Sequence, residues 1–391
     1  MSGETPERGF PEREFENRLE RAQFAMAEAG FNALLLTSEP EVRYFSGFLT
    51  QFWQSPTRPW FLVVPAQGKP IAVIPEIGAA LMRKTWLDDI RTWASPHPTD
   101  DGVTLLREAL REVAGEGVIG TPMGRESHLR MPLKDFKRLT DALGRERFRD
   151  ASPMIRKLRM VKSEAEITKI THICAIASST FEAGAELFRE GQPLSDAFRA
   201  FKTKCLEFGA DDVPYLVGGA GLGGYDDVIS PPSDAPLARG DVLMLDTGAV
   251  FDGYFCDFDR NYAIGEADDA AKRAHDILFL AVEAGIAAAR PGATCSDLYN
   301  AMRGVIAEAG GADGDVGRLG HGLGMQLTEW PSLTDFDETV LEPGMVLTLE
   351  PATRTVGSRI MVHEENIVVR DDGAELLTRR TPRELPMLTA P

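Results

Sequence analysis

Through the first 150 residues the apolar positions alternate between helical and strand spacing. Leu19, Ala22, Ala25 and Met26 recur along one face of Glu12 to Ala29, and Gly30 follows as a stop. Short apolar runs of strand length come next: ALLLT at 33–37, FLVV at 61–64, IAVI at 71–74 and VIG at 118–120. A turn at Gln67-Gly68 separates the second from the third, and a helical stretch from Asp101 to Ala114 precedes the fourth. Strands interleaved with helices predict a small α/β unit with a partly parallel, mixed sheet. Its aromatic cluster, Phe45, Phe48, Phe52, Trp53 and Trp60, reads as core or interface, and nothing in this half has a catalytic spacing.

Residues 151–162 read as a junction, which divides the chain into domains 1–155 and 156–391. Ser163 with Glu166 three residues later is a capping box, and Ile167, Ile170, Cys174, Ala177 and Phe181 form the core stripe of the helix it opens. Further helices are predicted from Asp196 to Phe208, from Asp268 to Arg290, and after Thr294, where Asp297 completes a second capping box. Hairpin strands follow at Met345 to Glu350 and Glu364 to Arg370. The second half therefore reads as helices laid on a curved, mainly antiparallel sheet, an α+β arrangement.

One stretch in this half is unusual. GDVLMLDTGAVFDGYFCDFDRNY, residues 240–262, has two apolar runs around Asp252-Gly253, a strong hairpin signal. A turn centred there pairs residues whose numbers sum to about 505, so Asp246 faces Asp259 and Asp257 faces Gly248. A single bulge would bring Asp246 level with Asp257. Three inward-capable carboxylates on apolar strands suggest a cation between them, and a solvated hairpin is the alternative.

Composition narrows the possibilities. A formal charge of −18 over 391 residues argues against nucleic acid or an anionic membrane as partner. No run of eighteen apolar residues exists, and the start, MSGETPERGFPERE, has no apolar core segment of the signal-peptide kind. Cys174, Cys205, Cys256 and Cys295 are widely spaced, which predicts reduced thiols in a cytoplasmic protein and no zinc site built from cysteine.

Among six histidines, His321 stands out in Gly320-His-Gly-Leu-Gly324, where glycines permit close backbone approach. Glu350 closes the apolar run MVLTL, and Glu364 opens the strand in HEENIVV. Charged residues at the ends of buried strands are costly unless paired. The run Gly218-Gly-Ala-Gly-Leu-Gly-Gly224 has the glycine spacing of a dinucleotide loop without its strand–turn–helix context, and reads as a substrate-facing or connecting loop. Asp226 and Asp227 after it are candidates for a cationic substrate group.

Taken together, these residues resemble the pita-bread metallopeptidases, the family of Xaa-Pro dipeptidases and aminopeptidases, methionine aminopeptidases and creatinase. The likeness spans nearly the whole chain, from Arg18-Leu19 and Tyr44-Phe-Ser-Gly-Phe48, through Leu158 to Glu166, to the ligand positions. It implies a creatinase-like N-terminal domain ahead of a pita-bread catalytic domain. It also implies five metal ligands: Asp246, Asp257, His321, Glu350 and Glu364. Two carboxylates 4 Å apart repel by about 4 kcal/mol at an effective dielectric of about 20. Four in one pocket therefore call for compensation, which two divalent ions supply; Mn, Co, Fe and Zn all suit the donors. A water bridging them would be acidified into the nucleophile. The family's Glu at the position of Glu350 also relays protons between water and leaving nitrogen.

Departures from the proline-specific pattern are specific. Their histidine seventeen residues before the first ligand is Ile229 here, the one seven beyond the ligand histidine is Thr328, and the arginine two before the last ligand is Val362. Thr328 can still donate one hydrogen bond, and His363 or Asp259 could take over part of the task. The expected function is hydrolysis of a peptide or amide C–N bond in a small substrate such as a dipeptide. The alternative is non-peptide chemistry on the same fold: creatinase-like or ectoine-hydrolase-like ring and amidine opening, or dimethylsulfoniopropionate lyase action. The resemblance further implies a homodimer, with Phe45 to Trp60 as the contact to a partner's site.

Overall fold

In the computed structural model, which describes residues 5–311, 317–355 and 357–388, the first helix runs Glu12–Ala29 and ends on Gly30 at φ 72°. Leu19, Ala22 and Met26 are buried along it, whereas Ala25 is half-buried. The chain separates into two units, Glu7–Arg159 and a second from Met160 onward. The first holds a six-stranded sheet of β1 (Ala33–Leu36), β2 (Phe61–Pro65), β3 (Ile71–Pro75), β4 (Ile90–Trp93), β5 (Ile119–Thr121) and β6 (Phe148–Asp150). Their order is β4-β3-β2-β1-β5-β6. The pairs β1–β2 and β2–β3 are antiparallel and the rest parallel, a mixed sheet as expected. Phe45, Phe48, Trp53 and Trp60 are buried within this unit, the Phe48 and Trp60 rings 5.2 Å apart.

The edges are what the apolar pattern misses. β4 (IRTW) and β6 (FRD) are short and lack a fully buried position, so neither carries an apolar run. A half-covered edge strand needs few apolar side chains, and Arg91 of β4 instead pairs with Asp89 and Glu112.

In the second unit both capping boxes form, Ser163–Glu166 on helix Glu164–Glu182 and Thr294–Asp297 on helix Cys295–Glu308. Ile167, Ile170, Cys174, Ala177 and Phe181 are buried, as the helical stripe requires. Helices Leu194–Glu207 and Asp269–Ala288 complete the set, the latter capped by the Asp268 side chain. One sheet contains β7 (Asp212–Leu222), β8 (Asp241–Phe251), β9 (Tyr254–Phe255) and β10 (Phe258–Ile264). Another contains β11 (His321–Gly322), β12 (Glu329–Ser332), β13 (Val346–Leu349), β16 (Glu365–Arg370) and β17 (Gly373–Leu376). β14 (Ala352–Arg354) pairs with β15 (Ile360–Val362), and β18 (Met387–Leu388) adds the single parallel partner among the described residues of this unit, to β10. The sheets are otherwise antiparallel. Leu347, Leu349, Ile367 and Val369 pack against Val282, Leu298, Met302 and Ile306 from the helices. Each such side chain, buried, contributes about 1.5–3 kcal/mol. This is the expected α+β arrangement.

The central hairpin turns at Asp252 (φ 45°) and Gly253 (φ 75°), two left-handed residues in succession as a tight hairpin demands. Its register is Val250↔Phe255 before the irregular Cys256-Asp257 and Phe258↔Thr247 and Asp259↔Asp246 after it, so every pair sums to 505. The bulge expected to bring Asp246 level with Asp257 is therefore absent. Cys256 still donates to Ala249 O at 3.0 Å, but the Asp257 N–H turns away to the Asn366 side chain. The glycine run is also corrected. Gly218–Leu222 is the second half of strand β7, paired with β8 from Gly218↔Leu245 to Leu222↔Asp241, rather than a loop. A Cβ on Gly218 would lie 2.1 Å from Met244 O, so glycine is required by backbone contact, not by a phosphate.

Candidate metal centre

Five elements deliver the five nominated ligands to one cavity. Asp246 comes from the middle of β8, and Asp257 from the irregular step between β9 and β10. His321 opens β11, Glu350 follows β13, and Glu364 immediately precedes β16. All five line a cavity of about 250 Å³. Asp257, His321 and Glu364 each offer a donor atom within 4.8 Å of the other two. His321 Nε2 lies 3.3 Å from Asp257 Oδ2 and 3.9 Å from Glu350 Oε1.

The imidazole is fixed from both sides. Its main-chain N–H donates to Thr348 Oγ1 at 3.1 Å, and Nδ1 lies 2.8 Å from the Gly322 carbonyl. A carbonyl only accepts, so Nδ1 carries the hydrogen and Nε2 presents a lone pair to the two carboxylates. Lone pair facing lone pair calls for a proton or a cation between them. The glycines on either side admit no side chain: a Cβ on Gly320 would meet Thr348 O at 2.2 Å, and one on Gly322 would meet Trp330 O at 2.4 Å.

Burial raises the Asp246, Asp257, Glu350 and Glu364 carboxyls above their usual range. Mutual repulsion adds to this at Asp246, Glu350 and Glu364, while Arg318 opposes it at Asp257 and Glu350. Asp246 Oδ1 and Glu364 Oε1 are buried with no hydrogen-bond partner among the described residues. Two orphaned carboxylate oxygens in one cavity with an imidazole nitrogen fit divalent cations, and hard oxygen donors dominate the set.

Ile229, Thr328 and Val362 also line the cavity, and Ile229 is 74% exposed. His363 is not brought to it. Along a strand successive side chains point to opposite faces, so Glu364 faces the cavity while His363 and Glu365 point behind it. There His363 Nε2 accepts from Arg380 Nη1 at 2.6 Å, and burial lowers its pKa to about 4. Asp259, Glu365 and Arg260 are buried in the same charged layer, and the half-buried Arg380 pairs with Glu365 at its rim. Asp227 is engaged by its own turn, accepting from Ile229 N, Ser230 N and Ser230 Oγ, which leaves little for a substrate cation. Arg359, near the missing arginine position, donates to the Leu222 and Gly224 carbonyls.

Two lining residues escape a reading of the sequence. Tyr215 reaches Asp246 from β7, a neighbour visible only once β7 and β8 are paired. Arg318 lies with its Nε 3.6 Å from Glu350 Oε1, and its nearness to His321 in the chain was the available signal.

Comparison with known proteins identifies the family of the chain. Residues 168–371 match the family model of Metallopeptidase family M24, and residues 18–161 match the Creatinase/Prolidase N-terminal domain. The chain is 30% identical over 383 residues to a protein of Mycobacterium tuberculosis named probable dipeptidase PepE, covering 97% of this chain and 98% of that one. It is 27% identical over 383 residues to the Xaa-Pro dipeptidase of Pyrococcus furiosus, covering 94% and 99%. Among solved structures, dipeptidase PepE from Mycobacterium ulcerans superposes with TM-score 0.85 at 28% identity, covering 97% of this chain and 99% of that one. The prolidase from Pyrococcus horikoshii gives 0.80 at 25%, covering 94% and 99%. With its ligand-like cavity, its two-part pita-bread architecture and these matches, the chain belongs to metallopeptidase family M24 and is a metal-dependent hydrolase.

Proposed function

We propose that the protein is a dipeptidase working with two divalent cations held by Asp246, Asp257, His321, Glu350 and Glu364. The observation that carries this reading is the convergence of all five on one cavity, two of them with orphaned oxygens. Cations bound there would supply Lewis-acid polarisation of the scissile carbonyl and of water at neutral pH. The chain's own groups do the rest. Glu350, whose side chain is 25% exposed, is the carboxylate with room to take a proton from the attacking water and hand it to the leaving nitrogen. Arg318 beside it favours the ionised form that Glu350 needs before the first transfer and regains after the second. The Thr328 hydroxyl offers one hydrogen bond to the substrate, and Ile229, Leu327 and Val362 form an apolar wall around it. His363, behind the cavity, has no direct part in this scheme.

A cavity of about 250 Å³ suits a small substrate, and the relatives' names point to dipeptides. With Ile229 and Thr328 in place of the two histidines, non-prolyl dipeptides are the better substrates. Those same replacements favour a second reading, non-peptide chemistry such as lyase action on this scaffold. A homodimer located in the cytoplasm remains part of the proposal.

Metal analysis of the purified protein, with a panel of Xaa-Pro and non-prolyl dipeptides, tests the proposal. Two equivalents of Mn, Co, Fe or Zn and release of free amino acids are expected. A metal-loaded protein that leaves every dipeptide intact would shift the assignment to the second reading.

A further inference from the structure

Asp257 and Glu364 both lie outside the strand ladders, so regular sheet bonding does not fix their main chains. Each is instead held by a side chain standing two residues after the other. Asp259, two after Asp257, accepts the Glu364 N–H on Oδ1 at 3.0 Å. Asn366, two after Glu364, accepts the Asp257 N–H on its Oδ1 at 3.0 Å, and its Nδ2 donates to the Asp257 carbonyl. The remaining group, the Glu364 carbonyl, accepts from Arg260 Nη1 at 2.9 Å, and Arg260 is itself held by Glu365 at 2.8 Å. All four main-chain polar groups of the two ligands are thus taken by side chains reaching across from the opposite sheet.

Asp259 and Asn366 are fully buried. No water competes for such bonds, and losing one strands a buried polar group, so their geometry is tightly imposed. Asp259 and Asn366 belong to β10 and β16, strands of different sheets. Without them, the Asp257 main chain would lose both of its cross-sheet bonds and Glu364 would keep only the Arg260 contact to its carbonyl.

We infer that Asp259 and Asn366 form a reciprocal brace, as positioning residues, that sets the distance between Asp257 and Glu364 and with it the affinity for divalent cations. This rests on the metal-centre reading above. Side chains that orient ligands in this way typically change metal affinity by about 10–100-fold when removed.

The test is calorimetric titration of Mn²⁺ into chelator-treated full-length protein, with the thermal midpoint of each metal-free variant measured alongside. Asn366→Ala and Asp259→Ala are expected to bind Mn²⁺ about 10–100-fold more weakly than wild type while still melting cooperatively. Asp259→Asn is expected to restore affinity, because an amide oxygen accepts the same Glu364 N–H, and its matching shape preserves folding. Folded alanine variants with wild-type affinity and only a lowered midpoint would show a merely structural role and overturn the brace. So would Asp259→Asn binding as weakly as Asp259→Ala, since charge rather than acceptance would then be what counts. A wild type that binds no divalent cation would instead overturn the metal centre itself.

Discussion

Lys169 Nζ lies 2.7 Å from Asp252 Oδ2, both side chains more than nine-tenths buried. This ion pair fastens the turn of the central hairpin to helix Glu164–Glu182. Asp252 therefore has two tasks, a left-handed backbone at φ 45° and a counter-charge for a buried ammonium. Asp252→Asn keeps the first and removes the second. Breaking one side of a buried pair costs about 3–5 kcal/mol, so urea unfolding of Asp252→Asn should show a loss of that order. Adding Lys169→Met should recover part of it; no recovery would mean that the charge is not the cause.

Glu350→Gln separates holding from proton transfer. The amide keeps one oxygen for a cation but cannot carry a proton, so turnover should fall about 10²–10⁴-fold with the metal content largely retained. Loss of metal in parallel with activity would assign Glu350 to binding alone.

His275 gives a pH dependence away from the cavity. Burial lowers its pKa below the usual 6.5, and its Nε2 lies 3.1 Å from the Pro382 carbonyl. The unfolded chain then binds the proton more readily, so the stability His275 contributes is present above about pH 6.5 and is lost as pH falls. The thermal midpoint of wild type should drop more between pH 7.5 and 5 than that of His275→Gln. Parallel curves would refute the assignment.

The apolar wall makes a prediction about selectivity. Ile229 and Thr328 both line the cavity, and a histidine at each would restore donors that a prolyl substrate can use. One such donor is worth about 3–4 kcal/mol at most. The double variant Ile229→His/Thr328→His should raise kcat/KM for Xaa-Pro dipeptides at least about tenfold relative to non-prolyl ones. An unchanged ratio would mean that these positions do not select the substrate.

How far the sequence can be read depends on whether a feature is local. The two capping boxes, the buried stripe from Ile167 to Phe181 and the 505 register of the hairpin are set by neighbours in the chain, and all appear as expected. β4 and β6 were hidden because edge strands need no apolar run. The glycine run misled for a related reason: Gly218 is demanded by the β8 backbone, a partner more than twenty residues away in the chain. The same limit applies at the cavity. Its five nominated donors are visible as types in order, but Tyr215 arrives only when β7 pairs with β8, and the Asn366 contact to Asp257 only when separate sheets meet. His363 was attractive as a histidine beside Glu364, yet strand alternation turns it away.

The two walls of the cavity differ in how much change they can absorb. Around His321, Gly320 and Gly322 touch backbone so closely that any larger residue would dislodge the imidazole. Ile229 and Thr328 meet solvent and bear no such constraint. Mutation can therefore explore new substrates on one side while the chemistry on the other stays frozen, which is how one scaffold can diversify without first losing its activity.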